Sequence, residues 1–176
     1  MEYVIEVIKI IEKTKKLYNS NKDKKGEENL DSKLKNGILI IDDESDTSFL
    51  MKKMLNYLGY NNITIKQDGY YAFNYIKNEI KNNSYKPFDI IITDNDMPIM
   101  GGVEFLNKLY EMDILNQHRF LLISGSLGKM KTELNGLLNN TISNSIEKPF
   151  EMKSLGYHIK DLLRQPIKYQ NIEYNK

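Results

Sequence analysis

Residues 90–102 read IIITDNDMPIMGG. Three isoleucines and a threonine favour extended backbone, and the run ends in Asp94 and Asp96 before turning at Pro98, Gly101 and Gly102. A strand that is apolar at every position is buried on both faces, as in a parallel sheet. Asp94 would then carry its charge where burial costs several kcal/mol unless a partner compensates it. Either this strand end opens to solvent, or it is a site.

The surrounding chain repeats the pattern. Before the stretch, Ile38–Ile41 (ILII) reads as a strand, Thr47–Leu58 as a helix carrying Phe49, Leu50, Met54, Leu55 and Leu58 on one face, Ile63–Lys66 as a shorter strand, and Tyr70–Ile80 as a helix whose stripe is Ala72, Phe73, Ile76 and Ile80. Asp46 or Thr47 is expected to cap the first of these helices. The opening strand itself spans Phe88–Thr93. After it come a helix over Val103–Met112, a strand over Phe120–Ser124, a helix over Lys129–Leu138, a strand over Ile142–Ile146 and a helix over Glu151–Arg164. Five strands alternating with five helices predict a doubly wound α/β domain, because parallel crossovers need long connections and run right-handed. Ligands of such sheets sit outside the carboxyl ends of the strands.

At those ends stand Asp42, Asp43 and Glu44 after the first strand, Asp94 and Asp96 at the third, Ser124 at the fourth and Lys148 after the fifth. Clustered acids repel one another, and a hard divalent cation relieves that repulsion. A few oxygen ligands with room for water suit Mg2+ better than Ca2+. With a metal and a lysine beside it, Asp94 is a plausible nucleophile toward a phosphoryl group. Alone, the Asp42–Asp43 pair reads equally well as a solvated strand end, Ser124 as a turn residue and Lys148 as a surface lysine. It is the set that points to chemistry. His118 and His158 share no metal spacing and are expected at the surface.

The four motifs IDDE, TDNDMPIMGG, LLISGS and EKPF, in this order on these elements, make residues Asn36–Arg164 resemble the response regulator receiver domain. The resemblance implies a flavodoxin-like (βα)5 fold with strand order 2-1-3-4-5. It implies that Asp94 is the phosphoacceptor, that Asp43 binds Mg2+ directly with Asp42 as a second or water-mediated ligand, and that Asp96 offers its backbone carbonyl to the metal. Ser124 would bond the phosphoryl oxygen and Lys148 would pair with it, across a cis Lys148–Pro149 peptide. The implied donor is a histidine kinase or histidine phosphotransfer protein, the implied readout a downstream protein target. The domain would act as a phosphoacceptor with self-catalysed transfer and autodephosphorylation, not as an enzyme on a separate substrate.

The chain departs from the family pattern at Ser145, where relatives carry an aromatic residue, at Gly125 in place of alanine, and at Gly101, which stands for an aspartate and suggests a flexible turn. Asp96 adds a carboxylate beside the acceptor. The loop KNNSYKPF before the third strand is long and has no assigned role. Two alternatives stand beside the receiver. One is a pseudo-receiver, a binding module with the acids intact but uncoupled from shape, suggested by Ser145. The other is a magnesium phosphohydrolase of the haloacid dehalogenase type, which DND resembles, although Pro98 stands where that family has Thr or Val.

Outside the domain, residues 1–18 carry Tyr3, Val7, Ile10 and Leu17 at helical spacing, an amphipathic helix that packs on its own chain or on another, as in a homodimer. Residues 19–36 are nearly all polar, a solvated linker. The receiver is expected over residues 37–165 and a tail over 166–176, QPIKYQNIEYNK after Arg164 leaving output to protein contact, either as a stand-alone regulator or as the receiver end of a hybrid kinase. Lys+Arg 25 against Asp+Glu 24 gives a net charge of +1, so no strong pull toward nucleic acid or membrane follows. Glu2, Glu6 and Lys9 break the first apolar run well short of a membrane span. With no cysteine, disulfides and thiolate sites are excluded and a cytoplasmic setting is expected.

Overall fold

The structure, a computed structural model, describes residues 37–134 and 144–164. The expected N-terminal helix, linker and C-terminal tail lie outside the described residues. Five strands form one parallel sheet in the order β2-β1-β3-β4-β5: β1 Ile38–Ile41, β2 Ile63–Lys66, β3 Ile90–Asp94, β4 Arg119–Ser124 and β5 Asn144–Glu147. The helices are α1 Ser45–Tyr57, α2 Gly69–Lys81, α3 Gly102–Glu111, α4 Leu127–Glu133 and α5 Met152–Arg164. This is the flavodoxin-like order, with β3 at the centre. Register pairs Ile41 with Thr93 and Asp94 with Ile123, so the polar ends of β1, β3 and β4 come level at one edge.

Why the sheet forms is visible in its alternation. Leu39, Ile41, Ile91, Phe120 and Leu122 point to one face and build a core with Ala72 and Ile76 of α2, Val103, Phe105, Leu106 and Leu109 of α3, and Met130 of α4. Their neighbours Ile38, Ile40, Ile90, Ile92, Leu121 and Ile123 are just as fully buried on the opposite face. Burying both faces requires helices on both sides, and the βαβ crossovers supply them. No helix among the described residues is long and apolar enough to cross a membrane.

Several local expectations shift. Helix α1 starts at Ser45 with Glu44 at its N-cap and no side-chain cap; Thr47 donates its hydroxyl to Glu44 Oε2 at 2.9 Å instead. Its buried stripe is Ser48, Met51, Met54 and Leu55, while Phe49 is turned to solvent with the Lys53 ammonium 5.2 Å from its ring. The inward face begins at Ser48 instead of Phe49, and Ser48 can go inward because its hydroxyl returns to the Ser45 carbonyl at 3.0 Å. Helix α4 begins two residues before the expected Lys129, because Ser126 accepts a hydrogen bond from the Lys129 amide.

His118 is buried, not a surface residue. Its Nδ1 lies 2.9 Å from the Phe88 carbonyl and its Nε2 2.7 Å from the Tyr85 hydroxyl, with the Phe120 ring edge-on. The long loop before β3 thus has a structural use: it delivers Tyr85 to a buried imidazole. Burial pushes the His118 pKa down to about 4, against the opposing effects of the Phe88 hydrogen bond and the Asp89 charge. His158 is half-buried, with Nδ1 3.1 Å from Asn144 Oδ1.

Candidate phosphoacceptor site

Asp94 is the last residue of β3 and is buried. Its charge is offset by Lys148, whose Nζ stands 2.7 Å from Asp94 Oδ2. The lysine is placed by the residue after β5, where its backbone amide donates to the Ser124 carbonyl at 2.9 Å and the peptide to Pro149 is cis. The same ammonium lies 3.4 Å from Asp42 Oδ2 and 3.7 Å from Glu44 Oε2. Burial alone would lower the lysine pKa, but the hydrogen bond and charge of Asp94, with Asp42 and Glu44, reverse this and raise it.

Asp42 follows β1 and is wholly buried, its Oδ1 accepting from the Glu44 amide at 2.9 Å. Burial pushes its pKa up to about 6, against the lowering effects of that amide and of Lys148. Asp43 is exposed. Carboxylate oxygens of Asp42, Asp43 and Asp94 all come within 4.8 Å of one another. Three carboxylates facing one ammonium leave an excess of negative charge in an oxygen-only cluster, a donor set that suits a hard divalent cation such as Mg2+.

Asp96 and Ser124 meet each other. Ser124 is buried and its Oγ donates to Asp96 Oδ2 at 2.8 Å, while the same Oγ accepts from the Ser126 amide at 3.0 Å. Asp96 also accepts from the Gly125 amide at 3.3 Å and lies 3.7 Å from Lys129 Nζ. Against a desolvation penalty that raises it, these donors hold its carboxyl below the usual range. The Asp96 side chain is therefore turned toward Ser124, and it is not one of the three grouped carboxylates.

Sequence reasoning passed over Asn95, which ties the loop together. Its amide donates to the Ile123 carbonyl at 2.8 Å, its Oδ1 accepts from the Val103 amide at 3.1 Å, and its Nδ2 donates to Glu133 Oε2 at 2.9 Å. The only hint in the sequence was its place between Asp94 and Asp96. The two glycines that follow do not loosen the turn. A Cβ on Gly101 would come 2.5 Å from the Asn95 carbonyl oxygen, and one on Gly102 2.6 Å from that of Asp94, so both are there to let α3 start against the acceptor loop. At Gly125, by contrast, a Cβ would meet nothing. Ser145 sits half-buried on β5, paired with Leu122.

Residues 38–160 match the response regulator receiver domain. A chemotaxis protein CheY homolog of Campylobacter jejuni is 27% identical over 126 residues, 72% of this chain and 91% of that protein. A probable transcriptional regulator, ycf29, of Porphyra purpurea is 34% identical over 134 residues, 74% of this chain and 59% of its own length. Two solved structures share the fold. The CheX–CheY complex with BeF3 and magnesium from Borrelia burgdorferi matches with a TM-score of 0.60 at 24% identity, over 76% of this chain and 93% of that chain. The receiver domain of a Pseudomonas aeruginosa sensor histidine kinase, with magnesium coordinated in its active site cleft, matches with a TM-score of 0.59 at 17% identity, over 74% and 98%. The chain belongs to the response regulator receiver domain family of two-component signalling.

Proposed function

We propose that Asp94 accepts a phosphoryl group from a phosphohistidine of a histidine kinase or histidine phosphotransfer protein in the cytoplasm, and that the product alters contacts with a downstream protein. The observation that carries this reading is the Lys148 ammonium held between Asp94 and Asp42, with Asp43 completing a three-carboxylate group. In the transfer, an Asp94 carboxylate oxygen attacks phosphorus, the N–P bond breaks as the O–P bond forms, and the imidazole keeps the electron pair.

Asp42, Asp43 and Asp94 would hold Mg2+, with Asp96 contributing its backbone carbonyl because its carboxylate is engaged elsewhere. When bound, the ion would supply positive charge that offsets the phosphoryl oxygens. Lys148 supplies a second positive charge and pairs with the product. Ser124 donates its hydroxyl to a phosphoryl oxygen, drawn by the roughly two negative charges the group carries. Magnesium in the active site cleft of the Pseudomonas aeruginosa receiver domain supports this assignment. Hydrolysis of the aspartyl phosphate by water returns the domain to its starting state.

Ser145 favours a second reading, a pseudo-receiver whose pocket takes the anion without moving the outer surface. Amide NMR of the protein with magnesium and beryllofluoride, compared with Asp94→Asn, separates the two. Shifts at Asp94, Ser124 and Lys148 that extend through α4 and vanish in the variant support a switching receiver. Shifts confined to the pocket support the pseudo-receiver, and an unchanged spectrum removes the phosphoacceptor assignment.

A further inference from the structure

The Ser124 hydroxyl is already committed. Its oxygen accepts from the Ser126 amide, and its one hydrogen is donated to Asp96 Oδ2 at 2.8 Å. An exposed carboxylate is ionised at neutral pH and can only accept, so the direction of that bond is fixed. A hydroxyl has a single hydrogen to donate. It cannot serve Asp96 and a phosphoryl oxygen at full strength together.

We propose that Asp96 is an internal competitor for the Ser124 hydroxyl, holding the domain in its resting arrangement until an anion on Asp94 takes that hydrogen bond away. The inference rests on the reading of Asp94 as phosphoacceptor. Both competing bonds are charge-assisted, so the exchange is near balance and small changes at Asp96 shift it. A dianion on Asp94 also repels the Asp96 carboxylate two residues on, which favours the exchange.

Release of Asp96 reaches α4 directly. The same carboxylate oxygen accepts from the Gly125 amide, and Lys129 in the first turns of α4 lies 3.7 Å from its other oxygen. The lysine is exposed and shared with Glu133 at 3.8 Å, so this ion pair is weak by itself. The buried Ser124 bond is the stronger tie, and Asn95 Nδ2 adds a second strut from the acceptor loop to Glu133. Displacing Asp96 therefore loosens the start of α4 without any ring at position 145. This arrangement gives the chain a route from pocket to surface that does not need the missing aromatic residue.

The test is a double-mutant cycle read by beryllofluoride affinity at saturating magnesium, using the full chain, Asp96→Ala, Ser124→Ala and the double variant, with bound fraction followed by amide NMR. Asp96 is exposed, so its replacement leaves the fold intact, and thermal melts of each variant verify this. Asp96→Ala should tighten beryllofluoride binding about tenfold, the scale of losing one charge-assisted competitor. With Ser124→Ala in place only the screened charge repulsion is relieved, and the same substitution should tighten binding about twofold or less. Equal tightening in both backgrounds would mean that Asp96 acts only through its charge and would overturn the competition, as would unchanged or weaker binding in Asp96→Ala. If the unsubstituted chain takes no beryllofluoride, or takes it equally well as Asp94→Asn, it is the phosphoacceptor reading that fails, and this inference with it.

Discussion

The Lys148 ammonium lies 2.7 Å from a buried oxygen of Asp94, across 54 residues of sequence. That pairing offsets the carboxylate of Asp94 at a strand end buried on both sides. Removing one partner of such a pair leaves the other charge uncompensated. Lys148→Met should therefore cost about 2 kcal/mol of stability in the absence of divalent ions. Adding magnesium should recover much of that loss. Urea unfolding with EDTA and with magnesium measures both, and a variant as stable as the parent in EDTA contradicts the pairing argument.

Asp42 has the opposite sign. Burial lifts its pKa to about 6, so keeping it ionised at neutral pH costs stability in the metal-free protein. Asp42→Asn retains an acceptor for the Glu44 amide and removes the charge. It should stabilise the chain by about 2 kcal/mol in EDTA at pH 7.5. The parent should show a magnesium-dependent rise in melting temperature, and Asp42→Asn should abolish it. Calorimetric scans with and without the ion decide this, and an undiminished magnesium response in the variant rules Asp42 out as a ligand.

His118 sets a pH dependence far from the site. Its folded pKa is about 4 against an ordinary value of 6.5, so between these values the unfolded chain binds the extra proton. Stability from this residue is fully present above pH 6.5 and is lost as pH falls toward 4, by about 3 kcal/mol. His118→Gln should flatten the stability profile over that window by about one proton. Denaturant titrations between pH 7 and pH 4.5 provide the slopes, and identical slopes for parent and variant would exclude a neutral buried imidazole.

The glycines offer a contrast within one molecule. Gly101→Ala drives a Cβ to 2.5 Å from the Asn95 carbonyl oxygen and should cost about 2 kcal/mol while disturbing the acceptor loop. Gly125→Ala meets open space and should stay within about 0.5 kcal/mol of the parent. Chemical unfolding ranks the two. A Gly101→Ala protein as stable as Gly125→Ala would show that the turn is loose after all.

How far the sequence reached depended on the range of the interaction. Strand identity followed from isoleucine-rich runs alternating with helical stripes, strand order only from the resemblance carried by the four motifs, and Asp42, Asp43, Asp94 and Lys148 stood out as a set at strand ends, not one by one. Phe49 misled because apolar spacing puts the large ring inward, whereas the buried stripe runs one residue earlier through Ser48, whose hydroxyl is satisfied locally. His118 misled because a lone histidine in a polar context carries no sign of Tyr85, 33 residues earlier, reaching its Nε2. The bond between Ser124 and Asp96 spans 28 residues and exists only once β3 and β4 are paired. Gly101 read as freedom in the sequence and is crowding in the structure.

The five-stranded order has a consequence for the life of the molecule. Asp42 and Lys148 are separated by 106 residues and follow β1 and β5, the first and last strands along the chain. An emerging polypeptide on the ribosome has Asp94 long before it has Lys148. On the function proposed above, competence for signalling would arrive only with completion of the sheet, and unfinished or C-terminally clipped copies would stay silent instead of draining phosphate from the relay.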